Sequence, residues 1–380
     1  MLPDKLHRKL GMRHFSGGLR VLEHKKDLID FASNDYLGFA NNLKVDKGSK
    51  HGSTGSRLLS GHTSLHENVE KQIAEFHKAE SALLFNSGYD ANIGLISSLA
   101  DRMDLIIYDS LVHASIRDGI KLSNAKAIKF HHNDLDHLEI LLEKFSTGED
   151  REVYVITESV FSMDGDLPDL KAMVELIAHY KNVNLILDEA HALGVIGEQG
   201  EGLAQHLKVE DQIFARVVTF GKGLGAHGAA VLGSSDLKSY LINFCRSFIY
   251  TTAPAEHALR AIELGYKTLS QGSDQVSALQ HNIKIFNDEV LRAGLRLRFR
   301  ESETVHTEHS RSAIQVCIIP DNKKVTIAAD KLQAKGYDIR AIRSPTVARG
   351  QERLRICLHS YNTHDQIKNM LTLLAKILRN

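Results

Sequence analysis

The chain has no excess charge of either sign: its 380 residues carry 47 Lys and Arg against 47 Asp and Glu. That balance leaves no basic footprint for a nucleic acid. The sequence also lacks any run near the roughly 18 apolar residues of a membrane span. Its opening, Met1-Leu2-Pro3-Asp4-Lys5-Leu6-His7-Arg8-Lys9, has no apolar core of a signal peptide. These absences predict a soluble cytoplasmic protein with no nucleic-acid and no membrane partner. Cysteine is sparse: Cys245, Cys317 and Cys357 are odd in number, far apart and set among apolar residues, which predicts reduced core thiols rather than a disulfide frame. The 21 histidines form no H-E-x-x-H pattern, so no metal site is expected, and His131-His132 reads as structural. Internal repeats, low-complexity segments and long linkers are missing too. What remains is 43% hydrophobic and 25% charged, enough for a large core and two unequal domains.

Hydrophobic period and punctuation change in a regular order. Ser64-x-x-Glu67 reads as a capping box for a helix with Leu65, Val69, Ile73 and Phe76 on its apolar face. A strand over Ala82 to Phe85 follows, then Asn86-Ser87-Gly88 turns into a helix starting near Tyr89. Strand, glycine turn and helix start form an anion site, because free backbone donors and the positive end of the helix dipole suit a phosphate dianion. Gly88 and Tyr89 are therefore phosphate candidates, with a plain turn as the alternative. Further strands are expected over Leu105 to Tyr108, Lys126 to Phe130, Val153 to Thr157, Asn184 to Leu187, Arg216 to Phe220 and Ala229 to Leu232. This is the pattern of an α/β protein with a mostly parallel, doubly wound sheet. After Pro254 the pattern is helical to about Leu295. Strands at Ala313 to Ile319, Tyr337 to Ile342 and Arg353 to Leu358, a helix over Val325 to Lys335, and a last helix capped by Thr363-x-x-Gln366 predict a small C-terminal α/β domain. The expected division is an arm over 1–40, a large domain over 41–260, and a long helix with the small domain over 261–380.

The chemistry concentrates in two segments. Ile186-Leu187-Asp188-Glu189-Ala190-His191-Ala192-Leu193-Gly194 is followed, 34 positions after Asp188, by Lys222 in Val218-Thr219-Phe220-Gly221-Lys222-Gly223. Each set ends a short apolar run that reads as a buried parallel strand, and such ends present the chemistry of α/β sheets. An acid, an imidazole and an amine in one site suit pyridoxal 5′-phosphate. Its ring absorbs carbanion electrons well only while the ring nitrogen stays protonated. At an effective dielectric near 20, an ion pair at about 4 Å contributes roughly 4 kcal/mol before desolvation, enough to bias that proton by about three decades. Asp188 is the candidate acid. A lysine must form a Schiff base with the aldehyde and later take up a proton, which needs a flexible stem and a lowered pKa; Lys222, between two glycines, fits.

Two other patterns share these residues. Asp188-Glu189-Ala190-His191 spells a helicase acidic box, but no upstream G-x-x-x-x-G-K-[ST] loop exists. Gly223-x-Gly225-x-x-Gly228 matches a dinucleotide fingerprint and would suit a nicotinamide oxidoreductase, yet it comes late and no acid follows about 20 residues on. A glycine turn with close backbone packing is the better reading. A catalytically silent structural relative is the remaining alternative.

Matching runs extend over nearly the whole chain: Phe31-Ala32-Ser33-Asn34-Asp35-Tyr36-Leu37-Gly38, Gly55-Ser56-Arg57, Ser60-Gly61-His62-Thr63, Ser87-Gly88-Tyr89-Asp90-Ala91-Asn92, His113-Ala114-Ser115, Glu158-Ser159-Val160-Phe161-Ser162-Met163-Asp164-Gly165-Asp166, the acid and lysine segments, and Ile342-Arg343-Ser344-Pro345-Thr346-Val347. In these the chain resembles the α-oxoamine synthase family of fold-type I pyridoxal phosphate transferases. The resemblance implies that His113 stacks on the cofactor ring and contacts substrate, His191 bonds the ring oxygen, and Ser162 positions the ring. It implies that Thr219 binds the phosphate and that Thr251 and Thr252 reach the phosphate of the other subunit of a homodimer with active sites at the subunit interface. Arg355 would grip the amino-acid carboxylate, for which a guanidinium fork is suited. Asn34 joins the substrate-binding set, and Arg8 and Thr346 align with positions that touch the acyl substrate. The implied reaction is a decarboxylating condensation of L-alanine with pimeloyl-CoA through Lys222. Glycine- or serine-using members with other acyl-CoA donors share the same core. Ser344, Ala348, Asn362 and Thr252-Ala253-Pro254 depart from the family pattern, which places the doubt at the substrate entrance.

Overall fold

The computed structural model describes residues 2–15, 18–19, 22, 27–45, 50–146, 151–272, 274–295 and 312–379. Its strands, in chain order, are β1 (Ile29–Asp30), β2 (Ser81–Phe85), β3 (Leu105–Asp109), β4 (Lys126–Phe130), β5 (Val153–Glu158), β6 (Val183–Asp188), β7 (Ala215–Thr219), β8 (Ala229–Gly233), β9 (Ile314–Ile318), β10 (Tyr337–Asp338), β11 (Arg340–Ile342) and β12 (Arg353–Cys357).

Seven of these form one sheet in the order β2-β8-β7-β6-β5-β3-β4. The run from β4 to β7 is parallel, and β8 is antiparallel to both β7 and β2. The central strands β5 and β6 are largely apolar because both faces are covered, whereas the edge strand β4 is exposed along most of its length. In β5, Val153 and Val155 pack in one cluster with Leu185, Leu187 and Val218, while Tyr154 and Ile156 point the other way to Ile106, Ile186 and Val217. At about 1.5–3 kcal/mol for each fully buried aliphatic side chain, these layers are a main source of the sheet's stability.

A second sheet, β11-β12-β9, is antiparallel, and the helices Asn322–Gln333 and His364–Arg379 pack in its part of the chain. One apolar cluster contains Leu187 and Val218 of the large sheet together with Leu354, Ile356 and Leu371, so the two sheets share a core. The end of the arm enters it as well, since Phe31, Tyr36 and Leu37 are fully buried and β1 pairs with β10.

Three local expectations are corrected. The helical stretch after Pro254 is two helices, Glu256–Ser270 and Asp274–Arg292, broken next to Gly272 at φ +83°. The strand expected over Tyr337 to Ile342 divides at the buried Ile339: Tyr337 and Asp338 pair with β1, whereas Arg340 to Ile342 pair with β12. The capping box at Ser64 does not form. The N-cap of helix Ser64–Phe76 is Thr63, whose Oγ1 meets His66 Nδ1 at 2.9 Å instead of a backbone donor. At Thr363 the reciprocal box is present, with Thr363 N–H donating to Gln366 Oε1 and Gln366 N–H donating to Thr363 Oγ1.

Candidate active site

The parallel strands end on the same side of the sheet, and the segments that follow β2, β3, β5, β6 and β7 carry Gly88, His113, Ser162, His191 and Lys222 in turn. Asp188 is itself the last residue of β6, directly beside Glu158, the last residue of β5. Sequence positions spread over 130 residues thus converge because parallel strands align their carboxyl ends.

Asp188 is buried, with a separate donor on each oxygen: Asn92 Nδ2 at 2.7 Å on Oδ2 and Ala190 N–H at 2.9 Å on Oδ1. Asn92 Nδ2 also reaches Ser115 Oγ at 3.0 Å, and Ser115 Oγ lies 2.7 Å from His113 Nδ1. The acid is therefore joined to His113 through two side chains. Glu158 accepts the His113 backbone N–H. Burial, and then the charge of Asp188, hold its carboxyl well above the usual range.

Lys222 follows β7 in a turn closed by Gly225 N–H on the Lys222 carbonyl. Burial lowers its pKa against the opposing pull of Asp188 and Glu158, and Arg355 pushes the same way as burial. Burial likewise lowers His113, although Asp188 opposes it, and holds His191 well below its ordinary value with Lys222, Arg355 and His113 adding to the shift. Two imidazoles and an amine, all of lowered pKa, thus share one electrostatic environment.

Arg355, on β12, is fixed by three acceptors: Ser162 O at 2.7 Å from Nε, Asn34 Oδ1 at 3.0 Å, and Cys357 Sγ at 2.9 Å. Asn34 Oδ1 also accepts the Tyr36 hydroxyl at 3.2 Å, and Tyr36 Oη is 2.7 Å from His191 Nδ1. The small sheet is thereby wired to the β6 end. Cys357 is a buried thiol pushed up to about 11 by burial, as a core thiol should be.

The residues fit pyridoxal phosphate. Helix Gly88–Leu99 begins with Ser87 as N-cap, whose side chain accepts Asp90 N–H, and the amides of Gly88 and Tyr89 precede the first intrahelical acceptor. A Cβ on Gly88 would stand 2.5 Å from Thr219 Oγ1, so the backbone and the threonine hydroxyl share one cradle only because that residue is glycine. The Tyr89 ring itself is largely exposed, its hydroxyl donating to Asp118 Oδ2 at 2.8 Å.

Other candidates stand apart. Arg8 lies on helix Asp4–Phe15, which buries none of its residues, so the structure does not bring it to the cluster. Thr346 is exposed, in a turn where its N–H donates to Arg343 O. Thr251 and Thr252 adjoin the turn before helix Gly88–Leu99: Asn86 Nδ2 donates to Thr251 Oγ1 and to Thr252 O, each at 2.9 Å. Asn362 is explained away from the cluster. It accepts His359 N–H at 2.8 Å and donates to Asp30 O at 3.0 Å, tying the arm to the segment after β12.

The glycine run of the dinucleotide pattern connects the antiparallel β7 and β8 rather than a strand and a helix. A Cβ on Gly223 would overlap Leu193 O, and one on Gly225 would overlap Ala40 N, so these glycines serve close backbone packing. The residues whose part was not assigned from sequence are Asn92, Glu158 and Tyr36. The available signals were the i, i+4 spacing of Asn92 from Gly88 and the acid closing the β5 run.

Comparison with known proteins supplies the context. The aminotransferase class I and II family matches residues 26–374. A protein of Emericella nidulans named 8-amino-7-oxononanoate synthase is 40% identical over 92% of this chain and 89% of its own, and one of the same name from Lysinibacillus sphaericus is 37% identical over 98% and 94%. Among solved structures, 8-amino-7-oxononanoate synthase from Francisella tularensis superposes with TM-score 0.76 at 30% identity, covering 93% of this chain and 99% of its own. Serine palmitoyltransferase of Sphingomonas wittichii gives 0.87 at 26%, covering 99% and 97%.

Proposed function

The chain belongs to the aminotransferase class I and II family, and we propose that it is a pyridoxal 5′-phosphate-dependent α-oxoamine synthase that condenses L-alanine with pimeloyl-CoA to 8-amino-7-oxononanoate, CoA and CO2, a step of biotin biosynthesis, in line with the name 8-amino-7-oxononanoate synthase that its relatives carry. The observation that carries this reading is the placement of Lys222, Asp188 and Arg355 in one electrostatic environment. An amine with a lowered pKa then lies in the field of the Asp188 carboxyl and the Arg355 guanidinium.

When bound, pyridoxal phosphate supplies an electron sink for the carbanion formed at the amino-acid Cα. The chain's residues do the rest. The Gly88 and Tyr89 amides and the Thr219 hydroxyl hold the phosphate, Asp188 the ring nitrogen, His191 the ring oxygen, and His113 and Ser162 the ring. Arg355 binds the substrate carboxylate, with Asn34 fixing its fork. Lys222 takes the Cα proton as general base, which its lowered pKa favours. After CoA leaves and CO2 is lost, the same amine is placed to return a proton.

The active form proposed is a cytoplasmic homodimer. Leu58, Leu59, Phe244 and Tyr250 expose large apolar side chains, and Tyr250 adjoins Thr251 and Thr252, as expected if those threonines serve the other subunit. Among the described residues no helix is long and apolar enough to cross a membrane. The division into arm, large domain and small domain belongs to the same proposal, as do acyl-chain contacts by Arg8 and Thr346.

A second reading, serine or glycine with a different acyl-CoA, is favoured by the closer superposition on serine palmitoyltransferase. CoA release by the holoenzyme, measured for alanine, glycine and serine each paired with pimeloyl-, acetyl-, succinyl- and palmitoyl-CoA, separates the two. Release confined to alanine with pimeloyl-CoA is expected. Release with glycine and a short donor, or serine and a long one, would move the assignment within the family.

A further inference from the structure

We propose that His132 is a positioning residue for amino-acid recognition: bridging Asp109 and Asp166, it locks the loop after β5 so that the Ser162 carbonyl orients Arg355. The proposal rests on the assignment of Arg355 to the substrate carboxylate.

The geometry leads from one sheet to the other. His132 follows β4, and its Nδ1 lies 3.0 Å from Asp109 Oδ1, at the buried end of β3. Its Nε2 lies 2.7 Å from Asp166 Oδ2, in the loop after β5. The imidazole edge also meets the Phe161 ring face to edge, with centroids 4.4 Å apart and planes at 90°. Asn133 supports the same loop, donating from Nδ2 to Leu167 O at 3.3 Å. The loop is closed on itself by Phe161 N–H on Asp166 O at 3.0 Å and Gly165 N–H on Phe161 O at 2.8 Å.

The far side of this loop touches β12. Arg353 donates to Met163 O at 3.0 Å and pairs with Asp164, and Arg355 Nε donates to Ser162 O at 2.7 Å. Gly165, at φ +75°, lets the loop pass so close that a Cβ would overlap Ile314 O of β9. The loop is thus the piece that transmits the position of the large sheet to the two arginines of the small one. On the large-sheet side the charged groups that fix it are His132 and its two carboxylates. Burial pulls His132 down, but its bonds to Asp109 and Asp166 outweigh it and raise it to about 10, so the bridging imidazole is a cation at neutral pH. Rigid support of this kind matters because misplacing a binding group by about 1 Å can cost on the order of 100-fold.

The test is a titration of the holoenzyme with L-alanine, without acyl-CoA, following the cofactor absorbance. It compares wild type, His132→Gln, Asp166→Asn, Arg355→Lys and the double variant His132→Gln/Arg355→Lys. His132→Gln is expected to raise the L-alanine Kd about 10-fold and Asp166→Asn about 3-fold, with the KM for pimeloyl-CoA within about twofold of wild type. In the double variant, the His132→Gln effect should largely vanish, because it acts through Arg355. Asp166→Asn keeps the size and one acceptor of the native side chain, so it carries the test if His132→Gln does not fold. Wild-type L-alanine affinity in the folded single variants, or losses that multiply in the double variant, overturns the proposal while leaving Arg355 in place. If Arg355→Lys itself binds L-alanine like wild type, the carboxylate assignment falls and this proposal with it.

Discussion

Asn92 Nδ2 lies 2.7 Å from Asp188 Oδ2 and 3.0 Å from Ser115 Oγ, so one amide holds the buried acid and the start of the path to His113. Replacing it tests both at once. Asn92→Ala should lower kcat about 10- to 100-fold, since a buried carboxylate loses a charge-assisted donor. Asn92→Asp should be worse, because it sets a second acid beside the first. Steady-state rates of the two reconstituted variants give the answer, and equal activity would remove Asn92 from the site.

Lys222 is expected to be indispensable. Lys222→Ala removes the amine that moves the Cα proton, and turnover should fall by at least about 10⁴-fold while the fold, followed by circular dichroism, is kept. Near-normal turnover would defeat the proposed mechanism.

Glu158 gives a sharper discrimination because its burial, reinforced by Asp188, keeps it protonated. Glu158→Gln preserves size, neutrality and the acceptor for His113 N–H, so activity within about fivefold of wild type is expected. Glu158→Ala should lose far more. A Gln variant as inactive as the Ala variant would mean that the ionised acid is used.

Gly88 and Thr219 make a steric prediction. A Cβ at Gly88 meets Thr219 Oγ1 at 2.5 Å, so Gly88→Ala should weaken cofactor binding about 10-fold or more. Adding Thr219→Ser should not relieve it, because the hydroxyl remains. Adding Thr219→Val, which removes the hydroxyl but keeps the branched shape, should not restore a phosphate donor. Equilibrium dialysis of the cofactor against each protein measures this, and an unchanged affinity in Gly88→Ala would place the phosphate elsewhere.

The His132 bridge should also appear in stability. Its pKa is raised in the folded state, so its contribution is fully present below the unfolded value near 6.5 and is lost as pH rises through about 10. The gap in unfolding free energy between wild type and His132→Gln should therefore be wide at pH 7 and narrow at pH 10.5. Urea unfolding at both values checks it, and a gap that stays the same at the two pH values would mean the imidazole is already neutral at pH 7.

The central sheet was legible because its inner strands are buried on both faces and carry apolar runs such as Val153 to Thr157, bounded by turns. Lys222 and Asp188 were legible because each closes such a run. Arg8 lies on a helix that buries none of its residues, and a resemblance read along the sequence says nothing about what such a helix packs against. Ser64 was mistaken for a cap because the box pattern fits Ser64 and Glu67, while the backbone enters the helix one residue earlier, at Thr63.

The sequence by itself determined the local periods, the family resemblance and the residue types that suit the cofactor, since these depend on side chains read in order along the chain. Only the tertiary structure decided that Asn92 grips Asp188, that burial holds the Glu158 carboxyl well above the usual range, and that His132 bridges Asp109 and Asp166. Those facts depend on which strand lies beside which and on how much water reaches a group. Pairing across 23 to 96 residues of sequence, and the desolvation that follows from it, exist only once the sheet has closed.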